Sequence, residues 1–314
     1  MKRVLVTGGS GFIGQHAVSA MLERGWEVVN LDLVPSGIAQ TPSYREILGD
    51  VRDEEAVIHA LEGVDAVVHL AALVSVQASI DAPEETYSVN VEGTRCVLEA
   101  CKSKGVSTFL HASSAAVYGN GTEGAIDEGA PVVPLSPYGE SKKLSEDIVT
   151  ESHRKGMRAA SFRFFNVYGP GQRTEGAYTP VIPTFIKLMC CGRSPTVHGD
   201  GLASRDFIHV NDVVNAMITG VKMTADSFNH AIYNIAAGTS TTLLDIVSSI
   251  NSSLIEHKHI AENIAPTHTP ERQGDVRHSL GSAERFRNEF NWKPSLDFAS
   301  SIRTMVNLEL EKEA

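Results

Sequence analysis

The chain has 314 residues, 42% apolar and 21% charged, which suits a globular protein with a large core and room for two lobes around one site. Its net charge of −11 argues against a nucleic-acid partner, which wants a basic face, although single basic residues can still grip a phosphate. No apolar run reaches the roughly 18 residues of a membrane span, and the basic-then-apolar N-terminus meets glycines too soon for a secretory signal. Cys96, Cys101, Cys190 and Cys191 show no CxxC spacing and fit reduced thiols in the cytoplasm, with Cys96 and Cys101 set in an apolar helical run. No His/Cys/Asp cluster has metal-ligand spacing, so no metal is expected.

Lys2–Thr7 reads as a short buried strand. The glycine turn Gly8-Gly9-Ser10-Gly11-Phe12-Ile13-Gly14 follows, then a helix over Gln15–Arg24. Trp26–Leu31 is the next strand and ends at Asp32. Strands over Tyr44–Leu48, Ala66–Leu70, Thr108–Ser113 and Met157–Phe164 alternate with helices over Asp53–Leu61, Glu84–Lys104 and Ser136–Lys155. Glu54 and Glu55 stand in the first turn of their helix, where carboxylates favour the helix dipole. Apolar strands alternating with helices predict an α/β, Rossmann-like, doubly wound parallel sheet.

From about Asn166 the elements shorten and become more polar. Helices are expected at Pro180–Cys191, Asn211–Met223, Leu243–Ile255 and from Phe298, with strands at Phe207–Val210 and Ala231–Ile235. Ser252–His268 shows little periodicity. These elements are too few for a second doubly wound sheet. The expected division is a dinucleotide-binding domain over residues 1–165 and a smaller, interleaved C-terminal lobe over 166–314, with some segments returning to the first domain.

Gly8, Gly11 and Gly14 lie between a strand and the start of a helix. A helix N-terminus offers unpaired N–H groups and a positive dipole end to a diphosphate, and glycine lets the backbone come close. Asp32 follows about 20 residues on, where a carboxylate can accept from both ribose hydroxyls. It would repel a 2′-phosphate, and the next residues, Leu33 and Val34, supply no cation for one, so NAD is favoured over NADP.

Tyr138 and Lys142 stand four apart in the Ser136–Lys155 helix, and residues at that spacing share a face. A phenol has an unperturbed pKa of about 10 and is a poor base. An ammonium beside it favours the phenolate, so the pair could exchange a proton with a substrate hydroxyl near neutral pH. Solvated helical pairs show the same spacing, so the pair alone does not fix a function. Ser113 and Ser114 end a strand, which is where ligands bind in open parallel sheets.

Several motifs stand in one order: Thr7-Gly8-x-x-Gly11-x-x-Gly14, Gly49-Asp50-Val51, His69-Leu70-Ala71-Ala72, Ser113-Ser114-Ala115-Ala116-Val117-Tyr118-Gly119 and Tyr138-x-x-x-Lys142. Together they resemble the extended short-chain dehydrogenase/reductase superfamily, in its nucleotide-sugar epimerase/dehydratase branch, over most of the chain. The resemblance implies that Ser114 binds the reacting hydroxyl and that Tyr138 and Lys142 handle its proton. It implies that Phe12, Ile13, Asp50, Val51, Leu70, Ala71, Ala72, Asn90 and Phe165 join the glycines and Asp32 around NAD. Asp50 and Val51 would contact adenine, with Asn90 and Phe165 near the nicotinamide. As bare residues, Asp50 reads equally as a turn residue, and Ala71 and Ala72 as close-packed strand-end residues.

In the second half, Arg163-Phe164-Phe165-Asn166-Val167-Tyr168-Gly169-Pro170-Gly171 resembles the family's link between lobes, with Asn166 on the substrate diphosphate. Pro195–Gly201 and Ser204–Val210 match its nucleotide-binding segment, which implies that Arg205 and Arg272 meet phosphate and that His198 stacks on uracil. Arginine suits phosphate because its fork makes paired, charge-assisted bonds. By themselves, Arg205 beside Asp206 reads equally as an ion-paired arginine, and His198 as an ordinary histidine.

Related 4,6-dehydratases carry an Asp-Glu pair after the reactive Thr, and the decarboxylases a Glu. Here Ala115 and Ala116 cannot do acid/base work. That disfavours both, and the resemblance implies C4 epimerisation of a UDP-hexose through a 4-keto intermediate, which needs only Ser114, Tyr138, Lys142 and NAD, with Tyr138 as acid and base. The position of Ser279 borders the sugar's C2 group in resembling epimerases, where a small residue admits an N-acetyl group. Tyr178 and Val181 also look like those of epimerases that accept N-acetylhexosamines. The resemblance therefore implies UDP-GlcNAc/UDP-GalNAc, with UDP-Glc/UDP-Gal as a second pair. The alternatives are a uronate epimerase, another NAD-dependent nucleotide-sugar dehydratase or reductase, or an NAD-bound regulator. It also implies a homodimer through the Glu84–Lys104 and Tyr138–Lys155 helices.

Overall fold

The computed structural model describes residues 2–121, 124–174, 179–223, 228–271 and 276–313. In chain order its strands are β1 (Arg3–Thr7), β2 (Glu27–Asp32), β3 (Tyr44–Leu48), β4 (Ala66–His69), β5 (Thr108–Ser114), β6 (Ala125–Ile126), β7 (Arg158–Phe164), β8 (Asn166–Tyr168), β9 (Thr196–His198), β10 (Ser204–His209), β11 (Ile232–Ile235), β12 (Ser240–Thr242), β13 (Thr267–Thr269) and β14 (His278–Gly281). Its α-helices are α1 (Phe12–Glu23), α2 (Glu54–Ala60), α3 (Val76–Asp81), α4 (Pro83–Tyr87), α5 (Gly93–Lys104), α6 (Pro137–Arg154), α7 (Val181–Cys190), α8 (Val210–Lys222), α9 (Leu243–Glu256), α10 (Glu284–Phe290) and α11 (Phe298–Glu313).

Among the described residues, seven parallel strands form one sheet in the order β11-β7-β5-β4-β1-β2-β3. Strand order reverses at β1 and β4, and a crevice opens there at the carboxyl ends. Side chains alternate across β1. Val4 and Val6 enter a core with Ala17 and Met21 of α1 and Val213 and Met217 of α8, whereas Leu5 enters a second core with Val57, Val97, Cys101 and Phe109. Both faces are covered, which is why these strands read as continuous apolar runs.

The second lobe has its own core, including Tyr168, Ile182, Phe185, Ile250 and Ile302. Its larger sheet joins β12, β10, β14 and β6, with β8 pairing β10. The interleaving is visible in β11, which leaves this half of the chain to pair with β7 at the edge of the large sheet.

Three elements differ from the sequence reading. Helix α1 begins at Phe12, not Gln15, because Gly11 takes the N-cap position and Gly14 lies inside the helix. The Glu84–Lys104 stretch is divided by a π-helical turn over Ser88–Glu92, with Asn90 at its centre. β10 starts at Ser204, three residues before the expected strand, since its outer half pairs with β12 and β14. The short strands β6, β8, β9, β12, β13 and β14 and helix α3 carry no period long enough to be read from sequence.

Candidate active site

The glycine loop follows β1 into the crevice. Gly8 has φ +73°, a left-handed conformation, and a Cβ there would lie 2.7 Å from the Ala71 amide nitrogen. A Cβ on Gly14 would lie 2.1 Å from the Gly8 carbonyl oxygen. The loop is therefore pressed against both the β4 end and its own helix. Helix α1 starts with no side-chain cap and no acid in its first turn, which leaves its dipole end open to an anion. Phe12 and Ile13 begin this helix and pack partly into the core.

Asp32 ends β2 beside the loop. Its Oδ2 accepts from the Ser10 N–H at 3.0 Å, and its Oδ1 from the Val34 N–H at 3.2 Å. Asp50 is bound to Arg52, whose guanidinium hydrogen bonds hold its carboxyl below the usual range against partial desolvation. Val51 is 5% exposed and packs in the core, so its side chain offers little to a ligand. Leu70, Ala71 and Ala72 leave β4 half-buried, and the Leu70 N–H donates to the Thr7 carbonyl.

Asn90 is committed to the protein. Its Oδ1 accepts from the Leu73 N–H (2.8 Å), and its Nδ2 donates to the Leu73 carbonyl (3.0 Å) and to Ser141 Oγ (2.9 Å). It thus clamps the segment after β4 to helix α6. The Phe165 ring is also inside, packed on Gly281 and Tyr118.

The residues expected to handle the proton are carried by the carboxyl end of β5 and by helix α6. Ser136 caps α6 by accepting from the Gly139 N–H, and Pro137 occupies the first turn. A Cβ on Gly139 would lie 2.8 Å from the Ala116 carbonyl, so the start of α6 lies directly on the turn after Ser114. Ser114 Oγ accepts from the Ala116 N–H at 3.2 Å. The backbone of Tyr138 is held twice: its N–H donates to Ser79 Oγ (3.1 Å) and its carbonyl accepts from Ser141 (2.8 Å). One turn deeper, Lys142 is buried and donates to the Ala112 carbonyl at 2.8 Å. Burial pushes its ammonium down to about 8, against the favourable Glu146 carboxylate.

Asn166 and Val181, expected on the substrate, line one cleft with Val167, Tyr168, Pro180 and Phe207. Ser279 on β14 stands opposite Arg205 on β10. Arg205 donates to the Ser204 carbonyl at 3.0 Å. His198 is apart from this pair, on β9, with its Nδ1 2.8 Å from Thr269 Oγ1. Tyr178 and Arg272 lie outside the described residues.

Two features escaped the sequence reading. Thr7 supports the glycine loop, with Oγ1 2.8 Å from His69 Nδ1 and accepting from the Ala71 N–H. His69 is buried and kept neutral, its pKa pushed down to about 3 by burial and by Lys142. Beneath Lys142 lies a buried Ser113–Glu146–Arg163 cluster. Its one sequence signal is that Glu146 follows Lys142 by four.

Comparison with known proteins agrees with this geometry. A family model for the NAD dependent epimerase/dehydratase family matches residues 4–236. The UDP-glucose 4-epimerase of Azospirillum brasilense is 31% identical, covering 96% of this chain and 89% of its own length. The dTDP-glucose 4,6-dehydratase of Streptomyces niveus is 33% identical, covering 96% and 90%. A solved UDP-N-acetylglucosamine 4-epimerase of Methanobrevibacter ruminantium M1, in complex with UDP-N-acetylmuramic acid, superposes with a TM-score of 0.90 at 31% identity, over 99% of both chains. The chain belongs to the NAD-dependent epimerase/dehydratase family. It is an enzyme, an isomerase that uses NAD.

The glycine cradle and open helix end fit that cofactor. Replacing Gly14→Ala forces a side chain onto the Gly8 carbonyl. We expect it to cost more than about 1.4 kcal/mol of NAD binding, a tenfold loss of affinity. Calorimetric titration with NAD checks this, and parent-like affinity would refute the cradle assignment.

Proposed function

We propose that the enzyme inverts C4 of a UDP-hexose, with UDP-GlcNAc and UDP-GalNAc as the main pair and UDP-Glc/UDP-Gal as the second. The observation that carries the reaction is the site at the end of β5. Ser114 ends β5, and α6, which carries Tyr138 and Lys142 on one face, starts on the turn that follows it, while the next two residues after Ser114, Ala115 and Ala116, offer no acid. Elimination of water needs such an acid, and epimerisation does not.

Ser114 orients the 4-hydroxyl. Tyr138 removes its proton and later returns one to the same oxygen, and the Lys142 charge favours the phenolate that exists before the first transfer and after the second. When bound, NAD would supply a reversible hydride acceptor for C4, with inversion following from return of the hydride to the opposite face of the 4-keto sugar. Gly8, Gly11, Gly14 and Asp32 would hold the dinucleotide, with Leu70, Ala71 and Ala72 along one side. Arg205 and Asn166 would bind the diphosphate, with Arg272 as a further phosphate contact and His198 toward the uracil. In its ionised form Lys142 is useful only below its pKa. The alkaline limb of kcat/KM should therefore fall near 8 rather than near the 10.5 of a free lysine.

The test of the reaction is a panel of UDP-sugars read by coupled assay and by free NADH. We expect interconversion at C4 without net NADH, and loss of it in Tyr138→Phe. Steady NADH release would indicate a dehydrogenase instead, and an unimpaired Tyr138→Phe chain a non-catalytic role.

The N-acetyl preference rests on Ser279, small and half-buried opposite Arg205. The similarity to a UDP-N-acetylglucosamine 4-epimerase supports it. Ser279→Tyr should abolish turnover of the acetamido sugars and spare UDP-Glc. An unchanged acetamido rate would remove Ser279 as the gatekeeper.

The proposed assembly is a cytoplasmic homodimer through the helices carrying Glu84–Lys104 and Tyr138–Lys155. Light scattering should give twice the 33.8 kDa chain mass, and a monomer would end that proposal.

A further inference from the structure

Ser113, Glu146 and Arg163 form a buried charged cluster that the proposed chemistry does not use. Ser113 and Arg163 are direct partners across the parallel β5–β7 pair. Both reach the same carboxylate. Ser113 Oγ donates to Glu146 Oε1 at 2.5 Å, Arg163 Nε to Oε1 at 2.8 Å, and Arg163 Nη2 to Oε2 at 2.6 Å. The ion pair is 3% exposed on each side. On its other flank the Arg163 guanidinium lies 4.7 Å over the Tyr118 ring, whose hydroxyl donates to Asn234.

The cluster is joined to the reactive residues by consecutive positions. Along β5, Ala112 accepts from Lys142 and Ser113 donates to Glu146, and Ser114 is the next residue. Along α6, Tyr138, Lys142 and Glu146 are spaced by four and so share one helix face. Two rungs between one strand end and one helix fix both the slide and the rotation of α6 against β5. The charged and titratable groups around Lys142 are Glu146 and Tyr138 on its own helix, His69 on β4, His111 on β5 and Arg163 behind Glu146. Both histidines are buried and held neutral, which leaves Glu146, one turn along α6, as the anion that favours the ammonium.

We propose that Glu146, locked by Ser113 and Arg163 one turn along α6 from Lys142, is a positioning residue for the proton relay: it anchors α6 against β5 so that Lys142 reaches the Ala112 carbonyl, and its charge favours the ammonium that sustains the Tyr138 phenolate. This rests on the reading of Tyr138 as the acid/base.

The test uses the NAD-loaded enzyme. Ionisation of Tyr138 is followed as the ultraviolet difference between each chain and its Tyr138→Phe counterpart, which needs no substrate. Glu146→Gln removes the charge. Glu146→Gln with Arg163→Met removes both charges and leaves no buried guanidinium unpaired, so the fold survives if the single variant fails. In both, the Tyr138 titration should move up by about one pH unit, and the alkaline limb of kcat/KM down by a similar amount. Glu146→Asp keeps the charge and should hold both near the parent values. Ser113→Ala, which leaves both charges, should lower kcat with KM unchanged, and Ser113→Thr should restore it. An unmoved Tyr138 titration in a folded Gln variant, or a parent-like kcat in Ser113→Ala, overturns the proposal. A parent chain that epimerises no UDP-hexose overturns the proposed function instead, and leaves the phenolate titration to decide the role of Glu146.

Discussion

Helix α6 has to bring a lysine to the carboxyl end of β5 without letting water reach it, and much of the molecule serves that requirement. A buried ammonium is costly unless it is hydrogen-bonded and sees an opposite charge. Lys142 has the Ala112 carbonyl for the first and Glu146 for the second. Glu146 in turn is a buried carboxylate, and Arg163 and Ser113 satisfy it from two neighbouring strands. The chain of compensation runs outward to the Tyr118 ring and to Asn234 on β11. A strand from the second half of the sequence thus completes the support of a helix from the first half.

The same helix is fixed from its other side. Asn90 spends its whole amide on Leu73 and Ser141, and its carbonyl accepts from Thr94 and Ser145. It sits in the π-helical turn between α4 and α5, where an extra residue re-aims a side chain. That aim links the segment after β4 to α6. The segment after β4 and helix α6 are therefore not independent, because one asparagine sets the distance between them. Thr7 does similar work at the crevice floor, where its hydroxyl meets both His69 and the Ala71 amide.

What could be read in the sequence was whatever local physics imposes. The glycine spacing was legible because Gly8 needs a positive φ and Gly14 has no room for a Cβ. The parallel sheet was legible because strands buried on both faces must be continuously apolar. Lys142 was legible only by its spacing from Tyr138. Its neutral surroundings were not, because His69, His111 and Ala112 arrive from other strands. Asn90 was expected beside the nicotinamide, and its actual bonds run to Leu73 and Ser141, which no local pattern announces. The second lobe was read least well. Its strands of two to six residues are defined by partners far away in sequence, as when β14 joins β10 and β6.

That second lobe also has a hub, and it bears on the substrate side. Asp206 is fully buried on β10, next to Arg205. Its carboxylate accepts from the Ala237 and Gly238 N–H groups, both at 2.8 Å, and from the Gly281 N–H at 3.2 Å. Burial pushes its pKa up to about 6 even though these N–H groups favour the anion. The first two donors follow β11 of the large sheet, and the third ends β14, two residues after Ser279. A single carboxylate therefore ties the edge of the cofactor-side sheet to the strand that carries the proposed gatekeeper. Gly281 has no side chain because a Cβ would meet the Phe165 ring at 2.8 Å, so β14 is pressed onto the link between the lobes. With β14 held at both contacts, the space in front of Ser279 is set by the side chain at that position and not by movement of the strand. That is the condition under which one residue can select between a hydroxyl and an acetamido group.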